Sequence, residues 1–160
     1  MRKLVIIAML AFVSVPTTAR AEVGIGAFLG EPTGLDVKLD LSHKTALDLL
    51  VGWYSHCCGD IDHGGYGHIT YLVTPVVGRG RSVLVPLRLG IGAAIFDDDH
   101  GRFGDDINVA ARLPAELGLR FRGTPLELYF EIALKLTFID NDNDHPTVDL
   151  DGGLGLRFYF

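Results

Sequence analysis

The chain has 160 residues, 14 basic against 20 acidic side chains, a formal net charge of −6 and 20 glycines. An acidic balance disfavours nucleic acid, whose phosphates select basic surfaces. Two adjacent cysteines, Cys57-Cys58, encode no disulfide framework, and glycines without a period of three exclude a collagen-like chain.

Arg2 and Lys3 precede the apolar run Leu4 to Val15, which ends before the small-x-small site Ala19-Arg20-Ala21. This pattern predicts a secretory signal peptide over 1–21 that is cleaved on export. Its apolar run is shorter than the ~20 residues a spanning helix needs. No cysteine follows the site to carry a lipid anchor. Cleavage would remove Arg2, Lys3 and Arg20, leaving 11 basic against 20 acidic residues, a net charge of −9, over a single domain at 22–160.

From Glu22 onward the apolar residues recur with a period of two, which places them on one face of a strand. Strand one sets Val23, Ile25, Ala27 and Leu29 against Gly24, Gly26 and Phe28, and Glu31-Pro32-Thr33-Gly34 turns it tightly. Strand two sets Leu35, Val37, Leu39 and Leu41 against Asp36, Lys38 and Asp40, and a turn at 42–45 leads to strand three, where Leu47, Leu49, Val51 and Trp53 oppose Asp48, Leu50, Gly52 and Tyr54. A Gly- and His-rich loop is expected at 55–67. Strand four, His68 to Val77, is the least regular because Pro75 weakens its ladder. A turn at 78–82 precedes strand five, with Val83, Val85, Leu87, Leu89, Ile91, Ala93 and Ile95 opposite Pro86, Arg88, Gly90, Gly92 and Ala94.

An acidic loop at 97–106 separates this from strand six, which alternates from Val109 to Phe121 and turns at Gly123-Thr124-Pro125. Strand seven, Leu126 to Phe138, alternates most strictly; a loop at 140–147 follows, and strand eight runs from Val148 to Phe160. Eight strands of roughly ten residues predict an all-β fold, an eight-stranded antiparallel up-and-down barrel of the length that crosses a bilayer. Short turns on the side of the termini and longer, polar loops on the other, where only the first connection is tight, match the asymmetry of outer-membrane barrels.

Alternation alone leaves open which face points inward. A soluble barrel puts the apolar face inside and a membrane barrel inverts it. Three features favour inversion. The apolar face is almost unbroken, while the opposite face is rich in glycine. That second face carries Asp36, Asp40, Asp48, Glu116, Glu127, Glu131, Asp149 and Asp151 against Lys38, Arg88, Arg112, Arg120, Arg122, Lys135 and Arg157, a set able to pair as buried charges must. Trp53, Phe121, Phe138 and Phe160 stand near strand ends, where interfacial aromatics gather.

With the strands in place, Gly30 to Lys38 (GEPTGLDVK), Ala46 to Trp53 (ALDLLVGW), Arg112 to Phe121 (RLPAELGLRF) and the ending Gly155 to Phe160 (GLRFYF) together resemble a family of small, mostly uncharacterised bacterial outer-membrane or periplasmic β-barrel proteins. The resemblance implies barrel fold and outer-membrane localisation in a Gram-negative-type bacterium, and supplies no activity or site. The terminal Phe160 with Phe158, Leu156 and Leu154 also resembles the signal read by the barrel-assembly machinery. Outer-membrane lipid and lipopolysaccharide are the implied surroundings.

An eight-stranded barrel is just filled by its own side chains, so a diffusion pore is not expected. Glu116, Glu127, Glu131, Arg112 and Arg120 would make an ion path on a functional reading, but packing and pairing explain them without one. His56, Cys57, Cys58, His63, His100 and His145 bring soft-metal donors to the loops without a recognised spacing. Asp140, Asp142 and Asp144 have the spacing of a calcium loop, yet His145 stands where Gly belongs and Asp151 where Glu belongs. A lipid A-modifying enzyme is the catalytic alternative; it needs a His-Ser pair, and His68 is followed by Thr70. A soluble periplasmic barrel holding an apolar ligand is the other alternative. The expectation is therefore a structural or surface-binding, non-porin barrel with no catalytic, cofactor or metal site.

Overall fold

A computed structural model describes residues 22–54, 64–97, 107–139 and 146–160. They form eight strands: β1 (Val23–Glu31), β2 (Thr33–Asp40), β3 (Thr45–Tyr54), β4 (Gly64–Arg79), β5 (Val83–Asp97), β6 (Ile107–Phe121), β7 (Leu126–Ile139) and β8 (Thr147–Tyr159). Each strand pairs antiparallel with the next, and β8 pairs back with β1, so the sheet closes into a barrel. No helix occurs among the described residues.

Closure fixes the width of the interior. Partners followed from Gly26 through Asp36, Leu50, His68, Ala94, Ala110, Thr137 and Thr147 return, by the β8–β1 register, to the level of position 36, a stagger of ten residues. For eight strands this corresponds to a tilt of about 40° and a backbone radius of about 8 Å. Such a lumen is filled by side chains over most of its length.

Several boundaries differ from the sequence expectation. β4 begins at Gly64 and β5 ends at Asp97, so both strands reach into the segments expected as loops at 55–67 and 97–106. Strand lengths run from 8 residues in β2 to 16 in β4 rather than a uniform ten. The β1–β2 reversal is tighter than a four-residue turn: only Pro32 separates the strands, the Glu31-Pro32 peptide is cis, and Gly30 has φ 155°, a value that favours glycine. Thr33 closes this turn by donating from its hydroxyl to the Gly30 carbonyl at 2.9 Å.

Prolines sit where the ladder can spare an N–H. Val73 pairs with Leu89 and Val76 with Leu87, so one extra residue bulges out of β4 at Thr74-Pro75. Pro86 and Pro114 fall in gaps of the β5–β6 ladder, between the pairs Leu84–Arg120 and Leu87–Leu117 and between Leu89–Ala115 and Gly92–Arg112.

The two faces are inverted relative to a water-soluble barrel. Ile25, Leu29, Leu35, Val51, Ile91, Ile132, Leu134, Leu150 and Leu154 are exposed, among thirty large apolar side chains so placed, whereas Asp36, Lys38, Asp48, Arg88, Arg112, Glu116, Glu127, Glu131, Lys135, Asp151 and Arg157 are buried. Trp53, Phe138 and Phe160 project outward as expected. Arg122 does not join the buried set: it lies exposed just beyond the end of β6. Asp149 also remains largely exposed, although it reaches Lys135 at 3.2 Å.

Inward glycines make room for rings from the neighbouring strand. Tyr129 lies across its register partner Gly155, where an added Cβ would come within 2.0 Å of the ring; Tyr159 covers Gly24 in the same way at 3.0 Å. The glycine-rich inner face of the sequence is thus the complement of inward tyrosines.

Candidate functional site

The interior is a continuous ionic core built in three layers. At the loop end, Tyr54 on β3 packs against Tyr66 on β4 and Phe96 on β5, each at a ring-centroid distance of 5.8 Å. The Lys135 ammonium from β7 sits over the Tyr54 and Phe96 rings, 4.2 and 4.7 Å from their centroids. It also pairs with Asp151 at 3.2 Å, and Tyr54 donates to the same carboxylate at 2.6 Å.

The middle layer turns on Arg157 of β8. Its guanidinium bridges Asp36 of β2, Asp48 of β3 at 2.7 Å and Glu116 of β6 at 2.7 Å. One face of it lies 3.7 Å from the centre of the Tyr129 ring, whose hydroxyl donates to Asp36 at 2.6 Å. Arg112 pairs with Glu131 and lies within 3.5 Å of His68 Nε2 and Thr70 Oγ1. His68 is held between the Tyr66 hydroxyl at 3.3 Å and Asp48 at 3.5 Å.

Toward the turn end, Arg88 bridges Glu116 and Glu127. Tyr159 donates to Glu127 at 3.1 Å and receives the Lys38 ammonium at 3.2 Å. Lys38 pairs with Asp40, and Arg120, stacked 3.9 Å over the Tyr159 ring, pairs with Glu22. Beyond this layer the lumen opens into a cavity of about 770 Å³ at the end carrying the short turns and both ends of the barrel sequence; its walls include Lys38, Asp40, Arg79, Arg88, Arg120 and Arg122.

Burying so many charges is tolerable only because they meet. Each desolvated ion costs several kcal/mol, and multiple short contacts within a low-dielectric lumen offset that cost. Of the five residues that a functional ion path would use, Glu116 and Glu127 converge on Arg88, and Glu131 on Arg112, while Arg120 stands apart at the mouth. These side chains lock one another in place.

His68 points into the lumen among Tyr66, Asp48 and Arg112, not toward the outer wall of the barrel. Asp151, the twelfth position of the would-be calcium loop, is committed inside the barrel to Lys135 and Tyr54. His56, Cys57, Cys58, His63, His100, Asp140, Asp142, Asp144 and His145 lie outside the described residues, as does the segment 1–21 read as a signal peptide. Among the described residues no group of three His, Cys, Asp or Glu side chains is arranged to hold a metal.

Four contributors escaped the sequence reading, among them Tyr66, read as loop, and Phe96, beyond the last residue named for strand five, which close the aromatic layer with Tyr54. Glu22, ahead of the first alternating residue, supplies the partner of Arg120. Arg79, read as part of a turn, ends β4 and lines the cavity. Its signal was the Thr74-Pro75 pair: a bulge there reverses the parity of everything after it.

No protein-family model, curated protein or solved structure matches the chain.

Proposed function

We propose that this protein is an integral outer-membrane β-barrel of a Gram-negative-type bacterium, closed to general diffusion, that serves a structural or surface-binding role through its acidic external loops. The observation that carries the reading is the inversion of the two faces. In water, thirty exposed large apolar side chains would far exceed the few hundred Å² of contiguous apolar surface that soluble monomers carry. In hydrocarbon the same face is matched by its solvent, and the closed ladder leaves no strand edge unsatisfied. A carrier of apolar ligands needs an apolar lumen, and the inward face here is ionic.

The aromatic row Phe158 and Phe160, exposed on the last strand with Phe160 hydrogen-bonded to Val23, supports recognition by the barrel-assembly machinery during insertion. Lipid and lipopolysaccharide then surround the apolar face, and the acidic segments at 97–106 and 140–147 face outward from the cell. Nucleic acid is not a partner on this reading.

Fractionation tests it. The exported protein is expected in the outer-membrane pellet, extractable only with detergent, and to migrate differently on a gel with and without boiling. Protease added to intact cells is expected to cut within 55–63, 98–106 or 140–145 and to spare the turn side. Recovery as a soluble periplasmic protein without detergent would reject the proposal.

A further inference from the structure

The cavity at the turn end has a charge imbalance that the ionic core does not have. Its walls carry five basic residues, Lys38, Arg79, Arg88, Arg120 and Arg122, against the two acids Glu22 and Asp40. Lys38 is taken up by Asp40, Arg120 by Glu22, and Arg88 by the deeper Glu116 and Glu127. Arg79 and Arg122 form no ion pair among the described residues, and both are exposed to the cavity mouth. We propose that this vestibule binds a phosphate-bearing anion, held by Arg79 and Arg122 above the Lys38 and Arg120 floor.

The register brings both arginines to the wall of one cavity. Before the bulge, odd-numbered β4 residues such as Val73 face outward; after it, Val76 shares the outward row with Leu87. Arg79 is thereby turned inward, level with Leu84, whose partner on the other side is Arg120. Arg122 follows two residues later, its N–H donating to the Ser82 carbonyl at 3.0 Å. Arg79, level with Leu84, and Arg122, level with Ser82, thus flank β5 with backbones roughly 11 Å apart, across two strand spacings and a two-residue stagger, a gap within the combined reach of two arginine side chains. Arginine offers a rigid fork of donors matched to phosphate oxygens. Ser42 and Thr45, whose hydroxyls bond each other at 2.7 Å within their turn, line the same wall, and Leu41, Val77 and Pro86 supply an apolar side.

The volume of about 770 Å³ exceeds what inorganic phosphate fills and suits a phosphate carried on a glycerol or sugar. Such a group comes either from a phospholipid headgroup or from a soluble phosphate ester. The vestibule is a property of the barrel's end, so this inference stands apart from the membrane reading.

The test uses the purified full mature chain, titrated with glycerol phosphate in solution and, separately, with phosphatidylglycerol against phosphatidylcholine in mixed micelles. Saturable one-to-one binding is expected with at least one of glycerol phosphate and phosphatidylglycerol, weakened about tenfold by Arg79→Gln and by Arg122→Gln as each loses a charge-assisted contact. Binding of glycerol phosphate assigns a soluble ester; binding of phosphatidylglycerol alone assigns the lipid headgroup. The control is the pair Lys44→Gln with Arg81→Gln, two exposed cations at the same end that do not line the cavity. The proposal is overturned if neither probe binds, if the Arg79 and Arg122 variants bind as wild type does, or if the control pair loses binding equally.

Discussion

Arg157 and Asp36 are 121 residues apart in the chain, yet the Arg157 Nε and Nη2 both donate to the Asp36 carboxylate at the centre of the barrel. Neither strand neighbours the other: β1 separates β8 from β2. The contact crosses the lumen, and it makes Arg157 a tie between β8, β2, β3 and β6.

Removing that tie should be costly. Arg157→Met leaves Asp36, Asp48 and Glu116 buried without their shared cation, and is expected to lower stability by about 3–5 kcal/mol in denaturant unfolding. Arg122→Gln, at an exposed position, is expected to stay within about 0.5 kcal/mol of wild type. Equal effects at the two sites would mean that the core charges are solvated.

The Tyr129–Gly155 contact predicts a coupled pair. Gly155→Ala drives a methyl into the ring, 2.0 Å from its nearest atom, and is expected to cost about 1–3 kcal/mol. Truncating the ring with Tyr129→Ala also destabilises, by loss of packing and of the bond to Asp36. Because the ring is what the new methyl meets, the double variant should lose less than the sum of the two; strict additivity in a double-mutant cycle would contradict the packing described.

Salt should separate the mouth from the core. The Arg120–Glu22 pair is partly open to water, with the Glu22 side chain 45 % exposed, so Glu22→Gln is expected to cost under about 1 kcal/mol and nothing measurable in 1 M salt, where the screening length is about 3 Å. Arg88→Gln removes the bridging cation from the fully buried Glu127, which keeps the Tyr159 hydroxyl, and from one side of Glu116. Its larger cost is expected to persist at the same salt concentration.

The outward face distinguishes lipid from water directly. Ile132 lies near the middle of β7, 44 % exposed, paired with Ala115 and Gly152. If the proposed bilayer surrounds it, Ile132→Arg costs about 2–4 kcal/mol in folding into vesicles, while Val148→Arg, near the loop end of β8, costs about 0–1 kcal/mol. A barrel in water would tolerate both substitutions alike.

Much of this architecture was legible from the period-two pattern. Leu126 to Phe138 can keep seven apolar residues together only as a strand, and eight such segments joined by short connections have few ways to avoid open edges. The mixed charges opposite the apolar row also indicated which face turns inward, because Lys38, Arg112 and Glu131 gain partners only by facing one another. The sequence by itself therefore determined the strand count, the antiparallel order and the sorting of most residues between the two faces, the part of β4 beyond Thr74-Pro75 excepted.

Partner choice was decided only by the closed barrel. Nothing local links Arg157 to Asp36, Asp48 and Glu116, since lumen contacts depend on the stagger of ten residues around the ring. The vestibule shows the same dependence more sharply. Read with unbroken alternation, Arg79 falls on the outward row with Tyr71 and Val73; one bulged residue at Thr74-Pro75 moves it to the lumen, beside Arg120 and Arg122. A pleated strand has a side-chain period of two, so a single extra residue reverses every position after it, and whether the chain inserts that residue is settled by pairing with its neighbour.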